Sequence, residues 1–285
     1  GIYKMSILNV NVKKVVSIIL ALILVLSNFG IIVNAQVSCT IPYVAAVNNK
    51  QISANTYVRY SNELYLYPGD IVYLNFTYTP SNASVWFGLS TPSNQFRYAS
   101  GVSGKLQRSF IIKEEGIHKV KIQNNSSASI IINGKFSTGC SYPFRGTNVP
   151  TALSRGYSAS HYGLDIIDTY PNSINGREIY SIGSGTVLFE GPSQSAGNYI
   201  AILYDGGYTA RYLHMQSRST LKKDDVVTYE TFIGYVGNTG ESSGPHLHLD
   251  VNTVNATSGG SGNNAVNSST TIDPKKLFPQ IGFSQ

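Results

Sequence analysis

Cysteine is almost absent: 285 residues hold two, Cys39 and Cys140. With no thiolate in the second half of the chain, a closed, thiolate-bound structural zinc is excluded there. The two cysteines bracket one segment. In an exported chain a Cys39–Cys140 disulfide is expected, closing a loop of roughly a hundred residues worth on the order of 4–5 kcal/mol. Helical periodicity is also lacking, so no long helix is expected. Long apolar runs are missing except Val15–Leu26, which follows Lys13 and Lys14 and precedes the small-residue ending Val33-Asn34-Ala35. A run that short does not span a bilayer as a stable anchor, so residues 1–35 read as a secretory signal peptide and the remainder as secreted, extracellular or wall-associated. Gly1 to Lys4 precede the first methionine and need not be native.

Acidic residues are scarce in the first half. Residues 1–35 carry Lys4, Lys13 and Lys14 and no acid, so the formal charge of +6 falls to +3 once they are removed. Residues 36–140 hold +5 of this and residues 141–285 hold −2. The basic segment suits an anionic surface such as a cell-wall polymer, or is simply a solvated face. Neither nucleic acid nor, after processing, a stable membrane anchor is expected among the partners.

What is present is β-sheet chemistry. Ile71–Tyr78, Ser84–Leu89, Ser109–Ile112, Ile117–Ile122 and Ser129–Ile132 are rich in β-branched and aromatic residues and are separated by turns such as Tyr67-Pro68-Gly69-Asp70. They predict a β-sandwich over 36–140. The 20 tyrosines serve either as strand and core residues or as platforms for sugar rings. Ser141 to Pro150 is rich in turn residues, which places a linker at 141–149. Beyond it, Gly185–Glu190, Tyr199–Tyr204, Tyr208–Leu213, Phe232–Val236 and Leu247–Val251 are further candidate strands, so the whole chain reads as all-β with a second domain over 150–285. Asn252–Thr271 is a Gly/Ser/Asn/Thr tract expected to be a surface loop.

Four of five histidines fall in that second domain. The fifth, His118, lies in a strand-like run of the first and is read as incidental. In His246-Leu247-His248 the imidazoles sit at i and i+2, which on a strand face the same side, about 6–7 Å apart. A metal with its bound water fits that gap. His161-Tyr162-Gly163-Leu164-Asp165 adds an imidazole and a carboxylate, with Gly163 expected to let the backbone turn between them. Two nitrogens and one oxygen leave a fourth zinc position open, as in a catalytic site. The glycines of Gly237–Pro245 suit either a close-approaching substrate backbone or a tight strand connection.

His161-Tyr162-Gly163-Leu164-Asp165, Tyr212-Leu213-His214-Met215 and Gly237-Asn238-Thr239-Gly240 through Gly244-Pro245-His246-Leu247-His248 occur in this order, and together they resemble the motifs of lysostaphin-type (LytM) metallopeptidases. The resemblance implies the duplicated hybrid motif fold, an antiparallel β-sheet peptidase domain over 150–285. It implies one zinc ion on His161, Asp165 and His248, with His214 and His246 as catalytic residues beside a zinc-activated water. The implied reaction is hydrolysis of peptide cross-links or bridges in bacterial peptidoglycan. Tyr157, Asn238, Thr239 and Gly240 are the implied groove residues. The sandwich is then expected either to dock on the wall or to cover the groove. Where the family pattern commonly has glutamate after His-x-His, this chain has Asp250, and Asp224 and Glu230 replace turn glycines. A non-catalytic LytM-like module that binds wall or activates a hydrolase is the alternative, although such modules usually lack some of the five side chains.

Overall fold

The structure is a computed structural model that describes residues 43–60, 63–146, 148–169, 172–253, 255–256 and 266–284. The signal-peptide segment and Cys39, and with it the expected disulfide, lie outside the described residues. Among the described residues no disulfide is present, and no helix is long and apolar enough to cross a membrane.

The first lobe contains β1 (Val44–Ile52), β2 (Tyr57–Arg59), β3 (Leu64–Leu66), β4 (Ile71–Thr79), β5 (Val85–Ser90), β6 (Phe96–Ser100), β7 (Lys105–Ile111), β8 (Gly116–Asn124) and β9 (Ile130–Gly139). One sheet runs β1-β9-β4-β7 and the other β2-β8-β5-β6, with β3 also on β8. Every pairing is antiparallel. Alternation in β4 turns Val72, Leu74, Phe76 and Tyr78 inward. They meet Val85, Phe87 and Leu89 of β5, with Phe76 and Phe87 stacked at 5.3 Å. Each such aromatic or leucine buried contributes ~1.5–3 kcal/mol.

His118 of β8 is 1% exposed in this core. Its Nδ1–H donates to the Gly116 carbonyl at 3.0 Å, and its buried Nε2 has no partner. Burial holds the imidazole below its ordinary value, even against the raising effect of that backbone bond. Protonation would therefore leave an unpaired N–H in apolar surroundings. The sign follows from linkage: an unfolded chain takes up the proton first, near pH 6.5, so stability is retained above that value and lost as pH falls below it. Urea melts at pH 7 and pH 5 should show a larger loss for the parent than for His118→Leu. Equal losses would remove His118 as the cause.

The second lobe contains β10 (Ala152–Arg155), β11 (Gly163–Ile167), β12 (Glu178–Tyr180), β13 (Gly185–Ser193), β14 (Gly197–Tyr204), β15 (Thr209–Met215), β16 (Val226–Val227), β17 (Phe232–Tyr235), β18 (Leu247–Asn252), β19 (Thr271–Ile272) and a short 3-10 turn, Pro274–Leu277. Its main sheet runs β10-β11-β18-β15-β14-β13-β16, with β19 on β18, and β12 pairs with β17. Period-2 alternation separates two chemistries. Leu164 and Ile166, Leu247, Leu249 and Val251, Ala210 and Tyr212, and Ile200 and Ile202 enter one apolar core. Asp165, His248, Asp250, Arg211 and Leu213 fall on the opposite face.

Of the expected linker, Ser141 to Phe144 are buried, and Tyr142 and Phe144 pack with Cys140 in the second core. The Cys140 thiol lies 2.8 Å from the Tyr208 hydroxyl. The lobes meet at the 67–70 turn: Ser141 and Ser184 donate to the Gly69 and Pro68 carbonyls at 2.7 and 3.1 Å. Gly69 takes φ 98° with the Tyr229 side chain where a Cβ would stand, so only glycine fits. Arg145 bridges the same region by donating to the Tyr142 and Tyr229 carbonyls. This junction is at the Thr209 end of β15. His214 is five residues further along, about 16 Å at the rise of an extended strand.

Candidate metal centre

Register assembles the site. Asp165 of β11 is directly opposite His248 of β18, and His248 is opposite Leu213 of β15, one residue before His214. His161 and His246 lie just outside the strands that carry Asp165 and His248. One ligand atom from each of His161, Asp165 and His248 lies within 4.8 Å of the others.

Hydrogen bonds fix which ring nitrogen faces inward. A carbonyl can only accept, so His161 Nδ1–H donates to Gly156 O (2.8 Å), which leaves the Nε2 lone pair 3.1 Å from Asp165 Oδ1. His248 is reversed: Nδ1 lies 2.7 Å from Asp165 Oδ1, while Nε2 points to Asp250 Oδ2 at 3.5 Å. His161 Nε2 and His248 Nδ1 therefore converge on one carboxylate oxygen, an arrangement that calls for a positive charge among them: a proton on His248 Nδ1, or a metal ion in its place. Two imidazole nitrogens and one carboxylate at this spacing fit one zinc ion with bonds of about 2 Å.

His214 and His246 stand beside this trio. Their rings are 4.7 Å apart, and His246 Nε2 is 3.5 Å from Asp165 Oδ1. His246 Nδ1 donates to Gly244 O (2.8 Å) and His214 Nδ1 to Thr239 O (2.8 Å), so both present Nε2 to the site. His214 adopts φ 62°, unusual for a residue with a Cβ and a cost of order 1–3 kcal/mol, to place its ring there. Burial lowers its pKa. For Asp165 burial acts upward, but the hydrogen bond from His248 and the neighbouring imidazoles hold the carboxyl below its ordinary value. Burial likewise opposes a charged His248, and Asp165 and Asp250 outweigh it, lifting the imidazole to about 9.

Gly163 differs from its expected role. It begins β11 as ordinary strand, and an added Cβ would lie 2.6 Å from His248 Nε2 and 2.8 Å from Leu249 O. The glycine makes room for the His248 ring and turns nothing. In Gly237–Pro245, Gly237 and Gly240 lie against the backbones of Gln216 and Gly197, a tight connection, whereas a Cβ on Gly244 would meet nothing within 4 Å. Thr239 clamps that connection: its hydroxyl donates to Met215 O (2.8 Å) and accepts from Asn198 N (2.9 Å). Asn238 is exposed. The Tyr157 hydroxyl bonds Thr271 Oγ1 (2.9 Å) and its carbonyl (3.3 Å), on β19. Asp224 takes the left-handed conformation (φ 73°), and Glu230 does not need it.

The sequence left one partner unseen. Arg211 of β15 is directly opposite Asp250, donating from Nε at 3.0 Å to both carboxylate oxygens and from Nη2 at 2.6 Å. Asn252 donates a further bond of 2.7 Å. Asp250 is fully buried, and although burial acts upward, Arg211 and His248 hold its carboxyl far below the ordinary range. The aspartate, one methylene shorter than glutamate, stops 3.5 Å short of His248 Nε2. The usable signal was two charges on the same face of two otherwise apolar strands.

Residues 159–267 match the model of Peptidase family M23. The second lobe is a lysostaphin/LytM-type M23 peptidase domain. The chain is 40% identical over 76 residues to "Peptidoglycan DD-endopeptidase ShyA" of Vibrio cholerae, covering 27% of this chain and 17% of that protein. It is 29% identical over 127 residues to lysostaphin of Staphylococcus simulans (44% and 22%). An "Uncharacterized metalloprotease" of Buchnera aphidicola is 30% identical over 172 residues (60% and 38%). The chain thus spans well under half the length of each of these curated relatives. Among solved structures, the catalytic domain of lysostaphin from S. simulans aligns at 29% identity over 46% of this chain and 87% of that one, with a TM-score of 0.33.

Proposed function

We propose that this chain is a secreted zinc metalloendopeptidase that hydrolyses peptide cross-links or bridges of bacterial peptidoglycan. The observation that carries the reading is the convergence of His161 Nε2, Asp165 Oδ1 and His248 Nδ1 beside two imidazoles whose other nitrogens are already committed. A zinc ion bound there supplies a Lewis acid that polarises a peptide carbonyl and lowers the pKa of water. His161, Asp165 and His248 hold it. His214 and His246, locked by the Thr239 and Gly244 carbonyls, share proton transfer and support of the developing oxyanion through Nε2. Relatives named as peptidoglycan DD-endopeptidases support the substrate class.

The first lobe is assigned to docking on anionic wall polymer. Its described contacts with the M23 domain lie at the Thr209 end of β15, away from His214, which favours docking over a cover on the groove. A non-catalytic module is disfavoured because all five side chains are present and converge. Release of new amino groups from purified peptidoglycan, measured with and without chelator, tests the proposal. Release is expected to stop on chelation and return with zinc. Wall binding without amine release at full zinc occupancy would replace the hydrolase by the non-catalytic module.

A further inference from the structure

The outer face of the five-stranded sheet carries chemistry that the metal centre does not use. Lys119 and Lys121 of β8 and Trp86 of β5 alternate with buried core residues, Tyr57 and Arg59 of β2 flank the partly buried Val58, and Phe96 and Tyr98 of β6 take the strand face opposite the partly buried Ala99, so all lie outside. Register sets Arg59 directly opposite Lys121, and Lys121 opposite Gly88, which is in turn opposite Tyr98. Beside that missing side chain Lys121 Nζ stands 4.2 Å from the Phe96 ring centre and 4.5 Å from that of Tyr57. Arg59 lies 5.1 Å from the Tyr57 ring. Tyr98 stacks on Trp86 at 4.2 Å and on Phe96 at 5.1 Å. The result is a ladder of rings with two cations held in it, while Tyr57 and Tyr98 remain 50% and 46% exposed.

Like charges directly opposite one another weaken a strand pair. Lys119 has Glu63 at 2.9 Å, but among the described residues neither Arg59 nor Lys121 forms an ion pair. Partial burial, and then Arg59, lower the Lys121 pKa, so the pair is held at a cost. A local arrangement that works against stability points to a ligand that offsets it. Next to the ladder a hollow of about 480 Å³, lined by Arg59, Lys119, Tyr65, Ser90 and Asn94 among others, continues the same face.

We propose that this face docks the chain on a phosphodiester-linked glycopolymer of the bacterial wall, with phosphates on Arg59 and Lys121 and sugar or polyol units against Tyr57 and Tyr98. An arginine fork pairs bidentately with phosphate, and the aromatic ladder fixes the lysine beforehand, which reduces the entropy lost on binding. The inference rests on the wall-hydrolase reading and gives it an anchoring site.

The full chain would be bound to purified walls before and after hydrofluoric acid removes phosphodiester polymers, alongside the double variant Arg59→Gln/Lys121→Gln. Two charge-assisted contacts predict a loss of affinity of about tenfold or more both for stripped walls and for the variant. Amine release from a soluble peptidoglycan fragment should not change, and the variant's melting temperature should not fall. Undiminished binding to stripped walls, a variant that binds like the parent, or preference for a single-stranded oligonucleotide over the polymer would each overturn the docking face. Amine release that persists while binding is indifferent defeats this inference alone. Absence of chelator-sensitive amine release defeats the enzyme reading instead.

Discussion

His248→Ala is expected to lose bound zinc and to release amino groups from peptidoglycan at least about a thousandfold more slowly, the scale on which loss of one member of a catalytic unit is felt. The reason is geometric. His248 Nδ1 is 2.7 Å from Asp165 Oδ1, and both belong to the trio that converges with His161 Nε2. Truncation removes one of the three proposed ligands and leaves the Asp165 carboxylate without the imidazole it faces. Metal content per chain by atomic absorption, with circular dichroism to show that the sheet persists, separates lost metal from lost fold. Full wall-lytic activity in His248→Ala at matched zinc occupancy would end the proposed mechanism.

Arg211→Met should cost about 3–5 kcal/mol of stability, because it leaves the buried Asp250 carboxylate without its cation. It should also weaken zinc binding by about 10–100-fold, the usual effect of removing support from a metal-binding histidine. Asp250 is the group aimed at His248 Nε2, and Arg211 fixes Asp250. The pH dependence has a defined sign. In the parent the depressed Asp250 pKa contributes stability above the carboxylate range that is lost only in strong acid. In the variant burial dominates and the pKa rises above its unfolded value. The deficit between the two should therefore be widest near neutrality and narrow as pH falls toward 4. Arg211→Met combined with Asp250→Asn should recover part of the loss, as a double-mutant cycle can quantify. A constant deficit across pH would mean that packing, and not charge, carries the effect.

The legible parts of the chain were those with a local pattern. Ile71–Tyr78 differs by one residue from β4, and Leu247–Val251 likewise from β18, because alternation is strong in both. β1 escaped because it is an edge strand whose Asn48, Asn49, Lys50 and Gln51 are all exposed, so its buried Val47 and Ile52 show no period-2 alternation. β16 and β19, of two residues each, are too short to carry a period. The five candidate side chains were legible as spaced motifs, and the structure brings them side by side. The role of Gly163 was not legible, since nothing local reveals that His248, 85 positions later in the chain, lies over it. The Arg211–Asp250 pair spans 39 positions and is made only by the register of β15 on β18.

β15 is buried along all seven residues and has the lobe junction at one end and His214 at the other. A domain hung on a loose tether sweeps a volume, and its partner can act anywhere within it. Here the junction is made by serine hydroxyls donating to main-chain carbonyls of the 67–70 turn, which ties the two lobes at a fixed point. Under the proposed docking, an enzyme held to the wall in this way would have a fixed reach: the bonds it could cut would be those lying one set distance from where it is moored, and spacing in the wall would become part of its selectivity.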